Sequence, residues 1–198
     1  MKKKIMAQIS SSQMVKQLLL NDEFLVNQIE QAADMVIAAY ELGNKTLLAG
    51  NGGSAADAQH IAGEFVSRFY FDRPGLASIA LTTDTSILTA IGNDYGYDRL
   101  FSRQVQALGV AGDVFIGITT SGNSENILQA LHEANTRGIK TIGLTGQGGG
   151  KMEALCDICI KVPSFETPRI QECHILIGHI ICYLVEEALF GEKVAALS

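Results

Sequence analysis

The chain of 198 residues carries a net charge of −6, with 47% hydrophobic and 18% charged residues. That balance excludes a disordered polymer, and the acidic surplus argues against a general binder of nucleic acid or of membrane surfaces. The length suits one domain with a sizeable core.

Taken in chain order, the basic start MKKKIMAQISSSQ has no long apolar run behind it. We therefore expect no signal peptide and no transmembrane span, and a cytoplasmic location by default. Residues 6 to 42 read as two helices, broken near LLNDEF, with Asn21 or Asp22 as N-cap and Gly43 closing the second. A βα rhythm follows. KTLLAG is a short apolar strand, followed by a glycine-rich turn and a helix over about Ser54–Arg68. LASIAL is a second strand; the long stretch after it is helical in two pieces around Gly92–Gly96. DVFIGIT is a third strand, with the TSGNS turn and a helix through Arg137 behind it. KTIGLTG and DICIKVP are the fourth and fifth, and a long helix runs from about Pro168 to Phe190. Short apolar strands alternating with helices predict an α/β fold with a parallel sheet covered on both faces. The final helix, HILIGHIICYLVEEALF, is apolar on most sides, which means burial within the domain or against another subunit. We favour an oligomer with helices at its interface.

The four cysteines read as buried free thiols. Cys156 and Cys159 form a CxxC, but on an alternating strand residues three apart point to opposite faces and do not grip one ion.

Ligands of parallel sheets sit beyond the carboxyl ends of the strands. Two turns fall there: Gly50-Asn51-Gly52-Gly53-Ser54 and Thr119-Thr120-Ser121-Gly122-Asn123-Ser124. Each follows a strand and opens a helix, where free N–H groups favour an anion. Four hydroxyl side chains within six residues make the second a cradle for a phosphate monoester, although both also read as ordinary βα turns. Neither is a Walker A loop or a GxGxxG turn. His60 and Glu64, at i and i+4, present a nitrogen and an oxygen on one helix face, for a metal, a proton or a plain surface hydrogen bond. His179 sits in the apolar run ILIGHIICYL, either as a satisfied core histidine or as a ligand or acid. Arg68 closes the same helix as His60, able to reach a substrate or to stand solvated.

The motifs GNGGSAADAQH, IGNDYGY, GITTSGNS and RIQECHILIGH, in that order over nearly the whole chain, resemble the sugar isomerase (SIS) domain family, and within it the phosphoheptose isomerases. The resemblance implies a flavodoxin-like five-stranded parallel sheet with two extra N-terminal helices, residues 1–43, in a single SIS domain. It implies conversion of sedoheptulose 7-phosphate to glycero-manno-heptose 7-phosphate, as the first step towards lipopolysaccharide heptose. It implies Thr119, Thr120, Ser121 and Ser124 on the phosphate, and Asn51, Gly52, Gly53, Ser54, Asn93, Asp94 and Gln171 on the sugar, with Glu64 and Arg68 beside them. It implies one zinc per subunit held by His60, Glu64, Gln171 and His179, and a homotetramer with interface active sites. An aldose–ketose isomerisation needs a base and an acid, for which Glu64 is the candidate base and His179 the candidate acid or the group that assists ring opening. Gln171 and His179 are eight residues apart, about 12 Å along a straight helix. Either the helix starts after Gln171 or the ligands come from different subunits. Pro168 stands where some relatives carry an aspartate, so no role of that aspartate transfers.

Two other readings compete. A non-catalytic SIS scaffold binding the bacterial replication initiator shares the SAADAQH and TAIGND stretches, but that branch lacks the residues at Glu64 and His179. An SIS sensor or isomerase for another phosphosugar is the third.

Overall fold

The computed structural model describes residues 1–195. Helices α1 (Lys2–Leu20) and α2 (Glu23–Glu41) come first. The break between them follows from Asp22, whose carboxylate accepts from the Leu25 amide at 3.1 Å and satisfies an orphan donor of the new helix. Leu25, Ile29, Ala32, Val36 and Ala39 recur at helical spacing and are buried. Gly43, at φ +77°, turns the chain into the sheet.

Strands β1 (Thr46–Gly50), β2 (Ser78–Ala80), β3 (Val114–Ile118), β4 (Lys140–Gly146) and β5 (Ile158–Val162) pair in parallel in the order β2-β1-β3-β4-β5. This is the flavodoxin-like order, which reverses direction between β1 and β3. Between the strands lie α3 (Gly53–Val66), α4 (Thr85–Tyr95), α5 (Leu100–Leu108) and α6 (Glu125–Thr136), and α7 (Thr167–Ala195) follows β5. The break between α4 and α5 falls at Gly96, φ +84°. The expected strands and helices are all present, and the α/β fold class stands.

Alternate strand residues face two separate cores. Leu48, Val114, Ile116, Ile142 and Ile160 pack with α1, α2, α3 and α7, while Leu47, Ala49 and Phe115 pack with α5 and α6. The stretch Thr167–Gly191 of α7 is long and apolar enough to cross a membrane. It is a core helix here: Ile170, Cys173, Ile177, Ile181 and Val185 are buried against the sheet and its neighbours. A run of exposed apolar side chains lies on α1, where Ile5, Met6, Ile9, Met14 and Leu18 are at least half exposed.

One expectation fails. Cys156 and Cys159 do not point to opposite faces: both pack into the same core cluster with Ile127 and Met152, and their proximity pushes the Cys156 thiol up and the Cys159 thiol down. The strand begins only at Ile158, so Cys156 lies before it, at the end of a 3₁₀ turn over Gly150–Leu155, and strand alternation does not reach it. All four cysteines are free; Cys156 is half-buried and the other three are buried.

Candidate active site

Gly50 pairs with Ile118 at the carboxyl ends of β1 and β3, so the two polar turns start side by side at the topological switch point. Between them is a cleft of about 290 Å³ lined by Asn51, Gly52, Gly53, Ser54, Thr119, Thr120, Ser121, Ser124, Thr167 and Gln171. Eight of the residues predicted for the sugar phosphate, plus Gln171, therefore meet in one place. The Thr119 and Ser124 hydroxyls are 2.8 Å apart, and Thr119 to Ser121 is 3.4 Å. Ser124 is the N-cap of α6 but makes no side-chain cap bond, so its hydroxyl stays with the cluster. Hydroxyls and helix-start N–H groups gathered at one place are chemistry that suits a dianionic phosphate. Gly122 permits this loop: at φ +67° it lies against the Gly149 backbone, where a Cβ has no room.

The glycine-rich turn is braced from behind. Asn51 and Asn126 exchange two amide hydrogen bonds, each 2.9 Å, and the Tyr97 hydroxyl donates to Asn51 Oδ1 at 2.9 Å. Sequence reasoning missed Asn126 and Tyr97. The available signal for Asn126 was a buried amide at the start of an apolar helical face, which needs a partner.

On α3, His60 and Glu64 turn towards α7. His60 Nε2 is 3.4 Å from Glu64 Oε1 and 2.8 Å from His179 Nε2, and the two rings meet edge to face. Donor atoms of these three residues lie within 4.8 Å of one another. Phe69 stacks obliquely on His179, its ring centroid 5.7 Å away. Asp57, one turn before His60, has a carboxylate oxygen without a partner; burial holds its carboxyl above the usual range, and His60 opposes this. Two imidazole nitrogens and a carboxylate oxygen at this spacing suit a divalent cation of zinc type, a donor set that leaves a fourth position open.

Gln171 does not join that cluster within one chain. It lies with His179 on the unbroken helix α7, about 12 Å away along the axis. The possibility that the helix begins after Gln171 is therefore excluded. Its amide instead lies against Gly53 and lines the polar cleft between the two turns. Asn93, Asp94 and Arg68 are exposed and do not line the cleft in the single chain. Asn93 spends one hydrogen bond on Asp94. His174 is fully buried, bonded to the Thr145 carbonyl, and takes no part in either half of the site.

The fold is that of a SIS domain, and residues 12–146 match the SIS domain model. The chain is 70% identical to a phosphoheptose isomerase of Aneurinibacillus thermoaerophilus over 189 residues, 96% of each protein. The solved phosphoheptose isomerase GmhA of Neisseria gonorrhoeae superposes with a TM-score of 0.88 at 46% identity, covering 94% of this chain and 98% of that one. A phosphoheptose isomerase of Francisella tularensis gives 0.90 at 41%, covering 93% and 97%. This chain belongs to the phosphoheptose isomerase family of SIS-domain enzymes. It is an isomerase, and the scaffold alternative is not favoured.

Proposed function

We propose that the enzyme interconverts sedoheptulose 7-phosphate and D-glycero-D-manno-heptose 7-phosphate in the cytoplasm, supplying the heptose of lipopolysaccharide. The observation that carries this reading is that α3 and α7 line a hydroxyl-rich cleft with their first turns and bring His60, Glu64 and His179 together about two turns further along. Thr119, Thr120, Ser121 and Ser124 hold the phosphate, and the Asn51–Ser54 turn with Gln171 holds the sugar chain. The Glu64 carboxylate takes a proton from C1 of the open-chain ketose and returns it to C2 of the enediol. His179 gives a proton to the oxygen on C2 as charge develops there and then takes the proton of the C1 hydroxyl as the aldehyde forms, so both groups return to their starting states.

His60, Glu64 and His179 would hold one zinc per subunit, which when bound supplies Lewis-acid polarisation of the carbonyl. Gln171 would complete such a site only from a second copy. The exposed apolar side chains of α1 favour a homo-oligomer, which we take as a tetramer whose active sites lie at subunit interfaces. There, Asn93, Asp94 and Arg68 would approach a neighbour's cleft.

The test is turnover of sedoheptulose 7-phosphate by the zinc-loaded protein, alongside Glu64→Gln and His179→Ala. Heptose 7-phosphate from the wild type, with at least a hundredfold loss in each variant, is expected. A folded, metal-loaded wild type without turnover would refute the reading.

A further inference from the structure

The segment that follows α3 is held by one buried ion pair. Arg73 Nε lies 2.9 Å from Glu186 Oε1, and the two side chains are 2% and 1% exposed. The rest of the guanidinium faces the end of α3: Nη1 donates to the Phe65 carbonyl at 2.8 Å and Nη2 to the Glu64 carbonyl at 2.9 Å. These are among the carbonyls that a helix leaves without partners at its C-terminus, where a cation is also favoured. Glu186 in turn accepts from the Phe69 amide at 2.8 Å and from the Tyr70 amide at 2.6 Å.

These contacts reach both halves of the acid–base cluster. Glu64 is the residue whose own carbonyl Arg73 holds. Phe69, whose amide Glu186 holds, presents its ring to His179. Glu186 and His179 are seven residues apart on α7, two turns along one face. Stability alone gives little reason for such a pair, because apolar residues of similar volume usually stabilise a core as well. The geometry gives another reason, since 119 residues separate His60 from His179 and their 2.8 Å approach depends on how α3 seats against α7.

We propose that Arg73 and Glu186 are positioning residues for the isomerisation: the pair sets α3 against α7 so that Glu64 and His179 face one another. This rests on the reading that Glu64 and His179 act in the reaction. Four proteins test it: Glu186→Gln, Arg73→Lys, the apolar double variant Arg73→Met with Glu186→Leu, and Glu133→Gln as a control in a half-buried ion pair with Arg137 away from the cluster. Each is measured for melting temperature, for kcat and KM with sedoheptulose 7-phosphate, and for zinc affinity by competition with a chromophoric chelator.

In Glu186→Gln and Arg73→Lys we expect kcat to fall tenfold or more, KM to stay within twofold, and zinc affinity to fall roughly tenfold. The double variant is expected to keep its melting temperature and still lose kcat, which separates positioning from stability. The control keeps wild-type values. A folded double variant with kcat and zinc affinity within twofold of wild type overturns the proposal, as does a kcat loss that merely follows the melting temperature across the set. If the wild type itself fails to turn over the sugar, the functional reading fails, while unchanged zinc affinity in the variants would still count against the clamp.

Discussion

His174 gives this enzyme an acid-sensitive core, and the size of the effect follows from its surroundings. The ring is fully buried on α7, with Nε2 3.2 Å from the Thr145 carbonyl and Nδ1 without a partner. Burial penalises the charged imidazolium, so the pKa falls from 6.5 to about 4, with the Thr145 bond opposing the fall. Between those two values the unfolded chain binds a proton that the folded chain does not. Stability from this residue is therefore complete above about pH 6.5 and is lost as pH falls towards 4. A fall from 6.5 to about 4 corresponds to about 3 kcal/mol. His174→Gln keeps a donor for the Thr145 carbonyl and removes the titration. Urea unfolding of both proteins at fixed concentration, from pH 7.5 to 4, gives the comparison. The wild type should lose about 3 kcal/mol more than the variant across that range. Parallel stability curves, whatever their offset, would refute the argument.

Thr119→Val removes the hydroxyl that meets Ser124 at 2.8 Å. It should raise KM about tenfold, about 1.4 kcal/mol, with kcat little changed; inorganic phosphate should weaken as a competitive inhibitor in parallel, and an unchanged inhibition constant would remove Thr119 from the phosphate site. Asp22→Ala deletes the cap that accepts from Leu25, far from the cleft. It should cost about 1 kcal/mol and lower the melting temperature by a few degrees, with kcat intact; a loss of activity without a loss of stability would contradict the purely structural role.

Much of the architecture is local in origin, which is why it was legible. Helix caps such as Asp22, breakers such as Gly43 and Gly96, and the apolar runs of β1, β3 and β4 act within a few residues of themselves. The order of βα units then places both polar turns at the same edge of the sheet, so the residues of these turns were expected together, whereas Asn93, Asp94 and Arg68 stay outside the cleft and its bracing by Asn126 and Tyr97 was missed. The CxxC misled because strand alternation holds only inside a strand, and Cys156 lies outside one.

The sequence by itself determined the α/β class, the two polar turns and the His60–Glu64 pair, because each follows from chemistry between near neighbours. The family resemblance pointed to His179 rather than His174, and the tertiary structure supplies the physical reason. His174 and His179 are five residues apart, so they point in different directions around the helix, and only the seating of α7 turns His174 into the core and His179 towards α3. That seating also brings Arg73 to Glu186 across 113 residues. No periodicity encodes such a contact, because it depends on how helices and sheet pack once the chain has closed on itself.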